Sequence, residues 1–167
     1  TYSGHSPFII PEESKRISFS DKLPERLRNY MVVANYTDYA IGQFITFLRS
    51  QKKFENTMIV ITGDHEGFGL TRKPLYEHAL GKDIISPERF TPLIVLNSPV
   101  HLRYEKVMGQ VDLYPTLLDL LGADDYPWRG LGESILSSGK KAFAISPQME
   151  IIGDTVGVST AEIQHAK

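Results

Sequence analysis

Asp64 and His65 stand side by side after the run Thr57-Met58-Ile59-Val60-Ile61-Thr62-Gly63. A carboxylate oxygen next to an imidazole nitrogen is a donor pair that suits a divalent cation. The run before them is β-branched at four of the five positions from Thr57 to Ile61, with Met58 the exception. That is the composition of an interior strand. Gly63 allows the backbone to turn, and Gly67 and Gly69 allow it to keep turning. The pair is therefore expected at the carboxyl end of a parallel-type strand, the edge where open α/β sheets place their ligands. Taken alone, Asp-His also fits a turn aspartate followed by a surface histidine, so the neighbourhood has to decide.

The elements that must position this pair can be read on both sides of it. Residues 1–23 look loop-like, punctuated by Pro7, Pro11 and, next, Pro24. A long helix is predicted from about Pro24 to Lys52, since proline suits a helix start. Leu27, Met31, Ala34, Asp38, Ile41, Ile45 and Leu48 form one stripe at helical spacing, and Phe44 and Phe47 widen it. Asp38 on that stripe predicts a buried carboxylate held by hydrogen bonds. Residues 66–90 form a long excursion, with Leu75 to Leu80 as a short helical turn. A second buried strand is predicted at Pro92-Leu93-Ile94-Val95-Leu96-Asn97. Asp112 reads as the N-cap of a helix that ends at Gly122. Lys141 to Ser146 reads as a strand, and Met149 to Ser159 as a hairpin around Gly153-Asp154. Helix, strand, loop, strand, helix implies a layered α/β architecture.

Composition narrows the classes. The 167 residues can build one domain with a core. With 41% apolar residues and a net charge of −2, nothing points to disorder, nucleic-acid binding or a polybasic membrane surface. There is no apolar run near the ~18 residues that a bilayer span requires. Zero cysteines excludes disulfides and thiolate metal sites. Two or three strands make a thin sheet for a complete α/β domain, and the chain opens on Thr1 rather than Met. Both features create the expectation of a piece of a longer protein.

Four segments together resemble the carboxyl-terminal part of the sulfatase-like branch of the alkaline phosphatase superfamily. They are Ser3-Gly4-His5-Ser6-Pro7-Phe8; Asn35 to Gly42 running into Asn56 to His65; Thr91-Pro92-Leu93-Ile94-Val95; and Gly109 to Gly122 with Gly130-Leu131-Gly132-Glu133-Ser134 after it. The Gly109-Gln110-Val111-Asp112 start resembles the lipoteichoic acid synthase and phosphoglycerol transferase group more than ordinary sulfatases. The resemblance implies a three-layer α/β/α, alkaline-phosphatase-like fold with an incomplete sheet, residues 1–167 being the carboxyl-terminal portion of the catalytic domain. It implies a metal-dependent enzyme of phosphate or sulfate esters, and an isolated chain that is inactive. Asp64 and His65 match two metal ligands, and His5 matches a histidine of the substrate pocket. The nucleophile and an acidic ligand belong to the family's amino-terminal half. Thr1 lies at the wrong end of the motif order to replace them.

By the same resemblance the cation is Mn²⁺ or Mg²⁺, with Ca²⁺ or Zn²⁺ as alternatives. The substrate is a phosphate or sulfate ester such as a glycerophospholipid or glycan. The parent is membrane-tethered and extracytoplasmic, at the outer face of the cell membrane or in the periplasm. Two rivals stand beside this reading: a true sulfatase or phosphodiesterase of the same superfamily, and a degenerate, non-catalytic binding module. Residues outside the motifs read more plainly. Glu66, Arg72, Lys73 and His78 are solvated loop residues, with a substrate or outer-shell contact as the sharper alternative. His101 and His165 carry no functional reading. Trp128 packs under the following Arg-Gly-Leu-Gly turn or offers a platform to a sugar or glycerol.

Overall fold

Proline at position 24 opens the longest element. The computed structural model describes residues 4–65, 90–123, 125–146 and 150–153. Helix α1 spans Glu25–Arg49 with Pro24 at its N-cap, and Ser50 closes it through its N–H (3.1 Å) and hydroxyl (2.6 Å) to the Phe47 carbonyl. A 3-10 turn at Phe54–Asn56 leads into β1, Ile59–Thr62. Strand β2 is Leu93–Leu96. The chain divides into two units, Thr1–Asn97 and Ser98–Lys167.

In the first unit, β1 and β2 pair antiparallel, Ile59 opposite Leu96 and Thr62 opposite Leu93. This corrects the parallel expectation for β1. The chain leaves β1 and re-enters β2 at the same end of the ladder, whereas a parallel partner needs a crossover back to the opposite end. The three-layer arrangement is not visible among the described residues. Asn97 ends β2 in the left-handed region (φ 56°), which asparagine tolerates. Its side-chain amide donates to the Phe54 and Thr57 carbonyls at 2.9 and 3.0 Å, tying the end of β2 to the entry of β1.

The core of this unit joins α1 to the opening segment. Phe8, Ile10, Val32 and Val33 are buried together, with Phe19, Tyr30 and Tyr36 packed on them. Phe8 meets Tyr30 edge-to-face at 5.3 Å. The opening segment is therefore held on the helix through Phe8 and Ile10. Leu27, Val32 and Val33 are the buried residues of α1, all in its first half. The predicted stripe holds at Leu27, which is buried, and at Met31, Ile41, Ile45 and Leu48, which are half-buried; it breaks at Ala34 and Asp38, which are exposed, and Phe44 (55%) and Phe47 (59%) do not widen it. Asp38 is a solvated carboxylate, so no donor network is needed to hold it.

The second unit is built around helix α2, Leu113–Leu120, preceded by a 3-10 turn at Gln110–Asp112. Gly122 (φ 70°) and Ala123 close α2 with N–H bonds to Asp119 (3.0 Å) and Leu118 (2.9 Å), the paired bonds of a glycine C-cap. Asp112 does not cap α2 with its side chain. The carboxylate, 3% exposed, instead accepts N–H bonds from Gly109 (2.8 Å) and Glu133 (2.9 Å) and pairs with the buried Lys140 at 3.0 Å. Lys140 also donates to the Lys141 carbonyl at 2.9 Å. Thr116 extends this node, donating to the Asp112 carbonyl (2.6 Å) and accepting from Ile135 N–H (3.1 Å).

Strands β3 (Phe143–Ile145) and β4 (Ile151–Gly153) form an antiparallel ladder. Ser146 N–H donates to the Glu150 carbonyl at 2.8 Å, extending the ladder beyond Ile145 and Ile151. Gly153 (φ 105°) is needed for close approach: a Cβ there would lie 2.3 Å from the Ala142 carbonyl oxygen. The second arm of the predicted hairpin lies outside the described residues, as does the predicted helical turn at Leu75 to Leu80.

Candidate metal centre

The strand that ends at Thr62 delivers Asp64 and His65 together. His65 Nε2 lies 3.8 Å from Asp64 Oδ1, and both side chains reach solvent, 93% exposed for Asp64 and 63% for His65. Two donors each ~2.0–2.3 Å from one cation are separated by roughly 3–4 Å, so the pair fits one ion without rearrangement of the backbone. Charge and chemistry fit as well: one anionic oxygen and one directional nitrogen. No group of three or more His, Cys, Asp or Glu side chains with metal-binding spacing occurs among the described residues. Hard cations take about six ligands, so the described residues would supply at most two donors of such a set here.

Gly63 serves this corner differently from the expectation. Its backbone is not in the left-handed region. A Cβ at Gly63 would sit 3.2 Å from both Cβ and Cγ2 of Thr91, the residue that leads toward β2. Glycine here lets the two chain segments approach at the end of the ladder where Asp64 emerges.

His5 lies in an exposed turn closed by Phe8 N–H to the His5 carbonyl at 3.0 Å. The turn is anchored by buried Phe8, whose φ of 63° places a bulky residue in the left-handed region. Arg26 adds a hydrogen bond to Ser6 Oγ at 3.4 Å and lies 5.5 Å above the Phe8 ring. His5 is thus displayed by a segment that the helix holds in an uncommon conformation.

Glu66, Arg72, Lys73, His78 and His165 lie outside the described residues. His101 is exposed. Trp128 follows the packing reading. Tyr114 covers it at 4.8 Å between ring centroids, and a Cβ on Gly130 would fall 2.2 Å from its ring. Its Nε1–H donates to the Gly132 carbonyl at 3.3 Å.

With this arrangement in view, comparison with known proteins identifies the class. The chain matches the Sulfatase family over residues 1–123, and it belongs to that family. It is similar to the lipoteichoic acid synthase-like protein YvgJ of Bacillus subtilis (strain 168), 32% identical over 154 residues, covering 87% of this chain and 25% of that protein. It is also similar to the lipoteichoic acid synthase of Staphylococcus aureus (strain USA300), 30% identical over 145 residues, covering 83% of this chain and 22% of that protein. The chain spans about a quarter of the length of these relatives.

Proposed function

We propose that this chain is the carboxyl-terminal part of the catalytic domain of a metal-dependent phosphoglycerol transferase, with Asp64 and His65 as ligands of the catalytic cation. The observation that carries the reading is the Asp64–His65 pair, 3.8 Å apart at the end of β1 and inside the segment matched to the sulfatase family. Mn²⁺ or Mg²⁺ is the preferred ion, since an oxygen-plus-nitrogen set without thiolates suits harder cations. When bound, such a cation draws charge from the non-bridging oxygens of a phosphate ester. Asp64 contributes the negative charge that holds the ion, and His65 fixes its direction of approach.

His5 acts on the substrate. Its imidazole can donate a hydrogen bond to a phosphate oxygen or, when protonated, a proton to a leaving alkoxide. The uncommon φ of Phe8, three residues on, supports a segment shaped for a purpose beyond packing. The nucleophile belongs to another part of the longer enzyme. Similarity to lipoteichoic acid synthases favours transfer from a glycerophospholipid over sulfate-ester hydrolysis. It also favours action at the outer face of the cell membrane. No helix among the described residues is long and apolar enough to cross a membrane, so in this proposal the tether is carried elsewhere.

The test is made in the longer enzyme. Asp64→Ala and His65→Ala should each lower metal content and turnover together. His5→Ala should lower turnover by about 10²-fold or more, with metal content unchanged. An Asp64→Ala enzyme that keeps its cation and its rate refutes the assignment.

A further inference from the structure

Thr91 stands two residues before β2 and bears on the Asp64–His65 corner through Gly63. The ladder ends at the pair Thr62 and Leu93, one residue short of Gly63 and Pro92. Pro92 has no N–H with which to extend it, and a proline restricts the backbone of the residue before it. The other end of β2 is held as well, by the Asn97 amide on the Phe54 and Thr57 carbonyls. Thr91 is therefore carried on a segment with little freedom to withdraw.

The approach of Thr91 to Gly63 is made by carbon. A Cβ at Gly63 would meet Cβ and Cγ2 of Thr91 at 3.2 Å each, and the carbonyl oxygen of His65 at 3.6 Å. That side of Gly63 thus lies between Thr91 and the backbone of one of the two donors. Rotation of the Thr91 side chain would not make room for a methyl, because Cβ stays where the backbone puts it. A β-branched side chain is also stiff at χ1. A methyl at Gly63 would have to displace the Asp64–His65 segment by a few tenths of an ångström. The side chains of Asp64 and His65 are 93% and 63% exposed, so they draw little placement from packing and inherit it from this backbone. A metal-binding set works only when its donors are held within about 0.5 Å of the productive geometry.

We propose that Thr91 is a positioning residue for the candidate metal centre: its Cβ and methyl form the wall against which Gly63 seats the Asp64–His65 pair. The inference rests on the metal reading of that pair. The Thr91 hydroxyl has no part in it.

The test is a set of Mn²⁺ titrations of the 167-residue chain, followed by line broadening at residues 63–65. Gly63→Ala should raise the apparent Kd about tenfold, the scale seen when groups that orient metal ligands are altered. Thr91→Gly removes both contact atoms and should weaken binding in the same direction. In Gly63→Ala/Thr91→Gly the new methyl takes the space that Thr91 vacates, so the Kd should return to within about twofold of the parent's. Independent structural damage at two sites would add instead. Thr91→Val keeps both carbons, drops the hydroxyl and should bind as the parent does. The His65 imidazole signals of the metal-free chain should follow the same order, shifted in the two single variants and parent-like in the double variant and in Thr91→Val. The proposal is overturned if Gly63→Ala binds as tightly as the parent, if the double variant is additive, or if Thr91→Val weakens binding. A parent chain with no broadening at residues 63–65 refutes the metal reading itself, and this inference with it, so the two failures are told apart by the parent's own titration.

Discussion

Asp112 is the most constrained side chain in the second unit, and its partners say what its loss would cost. Two backbone N–H groups and Lys140 converge on one buried carboxylate. Removing one partner of a buried pair strands the other charge, which costs about 3–5 kcal/mol. Lys140→Met should lower the unfolding free energy read from urea melts by that amount, or leave a chain that cannot be purified folded. A midpoint equal to the parent's would show that the pair is solvated in solution. Tyr104 gives the opposite sign. Its hydroxyl is buried and has no hydrogen-bond partner among the described residues. Burial, and secondarily the Asp112 charge, push its phenol above the ordinary value. The folded state thus favours the protonated phenol. That contribution is present below the unfolded value near ~10 and is lost as pH rises from there through the folded pKa. Tyr104→Phe should be neutral or stabilising by up to about 1 kcal/mol at pH 7 and should flatten the loss of stability above about pH 10. Guanidinium melts at pH 7 and in that alkaline range read both effects. A loss of more than about 1 kcal/mol at pH 7 would mean that the hydroxyl is paired after all.

At the scale of elements, sequence patterning located most of the described structure. Pro24, the β-branched run before Gly63, the apolar run Leu93 to Leu96 and the Asp112-to-Gly122 bracket each marked an element close to where it lies. Periodicity found Leu27 and the half-buried positions of α1 but missed the buried Val32 and Val33 and the exposure of Ala34 and Asp38. The α1 sequence carries apolar residues on more than one face, and the partner is the opening segment through Phe8 and Ile10. Those two residues lie in the short run Phe8-Ile9-Ile10 between two prolines, and Ile9, equally apolar, is 71% exposed, so composition could not single them out. Strand direction was equally illegible, because a buried run reads the same in parallel and antiparallel ladders. The donor pair of the candidate site was legible as adjacent residues. Lys140 as the partner of Asp112, and Asn97 as the clasp on β1, were not, since each acts across many residues by one hydrogen-bonded contact. The break in the stripe at Asp38 makes a test. Asp38→Ala should change stability by no more than about 0.5 kcal/mol, as for other exposed positions. Leu27→Ala, at a stripe position only 2% exposed, should cost about 2–5 kcal/mol. Equal costs for the two variants in urea melts would put Asp38 back among the buried positions.

At the scale of the whole molecule, the first unit shows more apolar surface than its own core uses: Phe44, Phe47, Phe90 and Ile94 are each about half exposed. Under the proposed function, the additional length seen in the relatives supplies both cover for such surfaces and the missing members of the active site. The 167-residue chain alone should then turn over no chromogenic phosphodiester with Mn²⁺ or Mg²⁺. Hydrolysis that Asp64→Ala abolishes would show a complete active site within it.

The central claim is that Asp64 and His65 hold a cation, and a Mn²⁺ titration of the isotope-labelled chain followed by paramagnetic line broadening tests it most directly. Broadening should begin at residues 63–65 and spread outward, with an apparent Kd of roughly 0.1–10 mM for an incomplete ligand set. The double variant Asp64→Ala/His65→Ala should lose that broadening over the same range. Broadening centred elsewhere, or unchanged in the double variant, would contradict the claim.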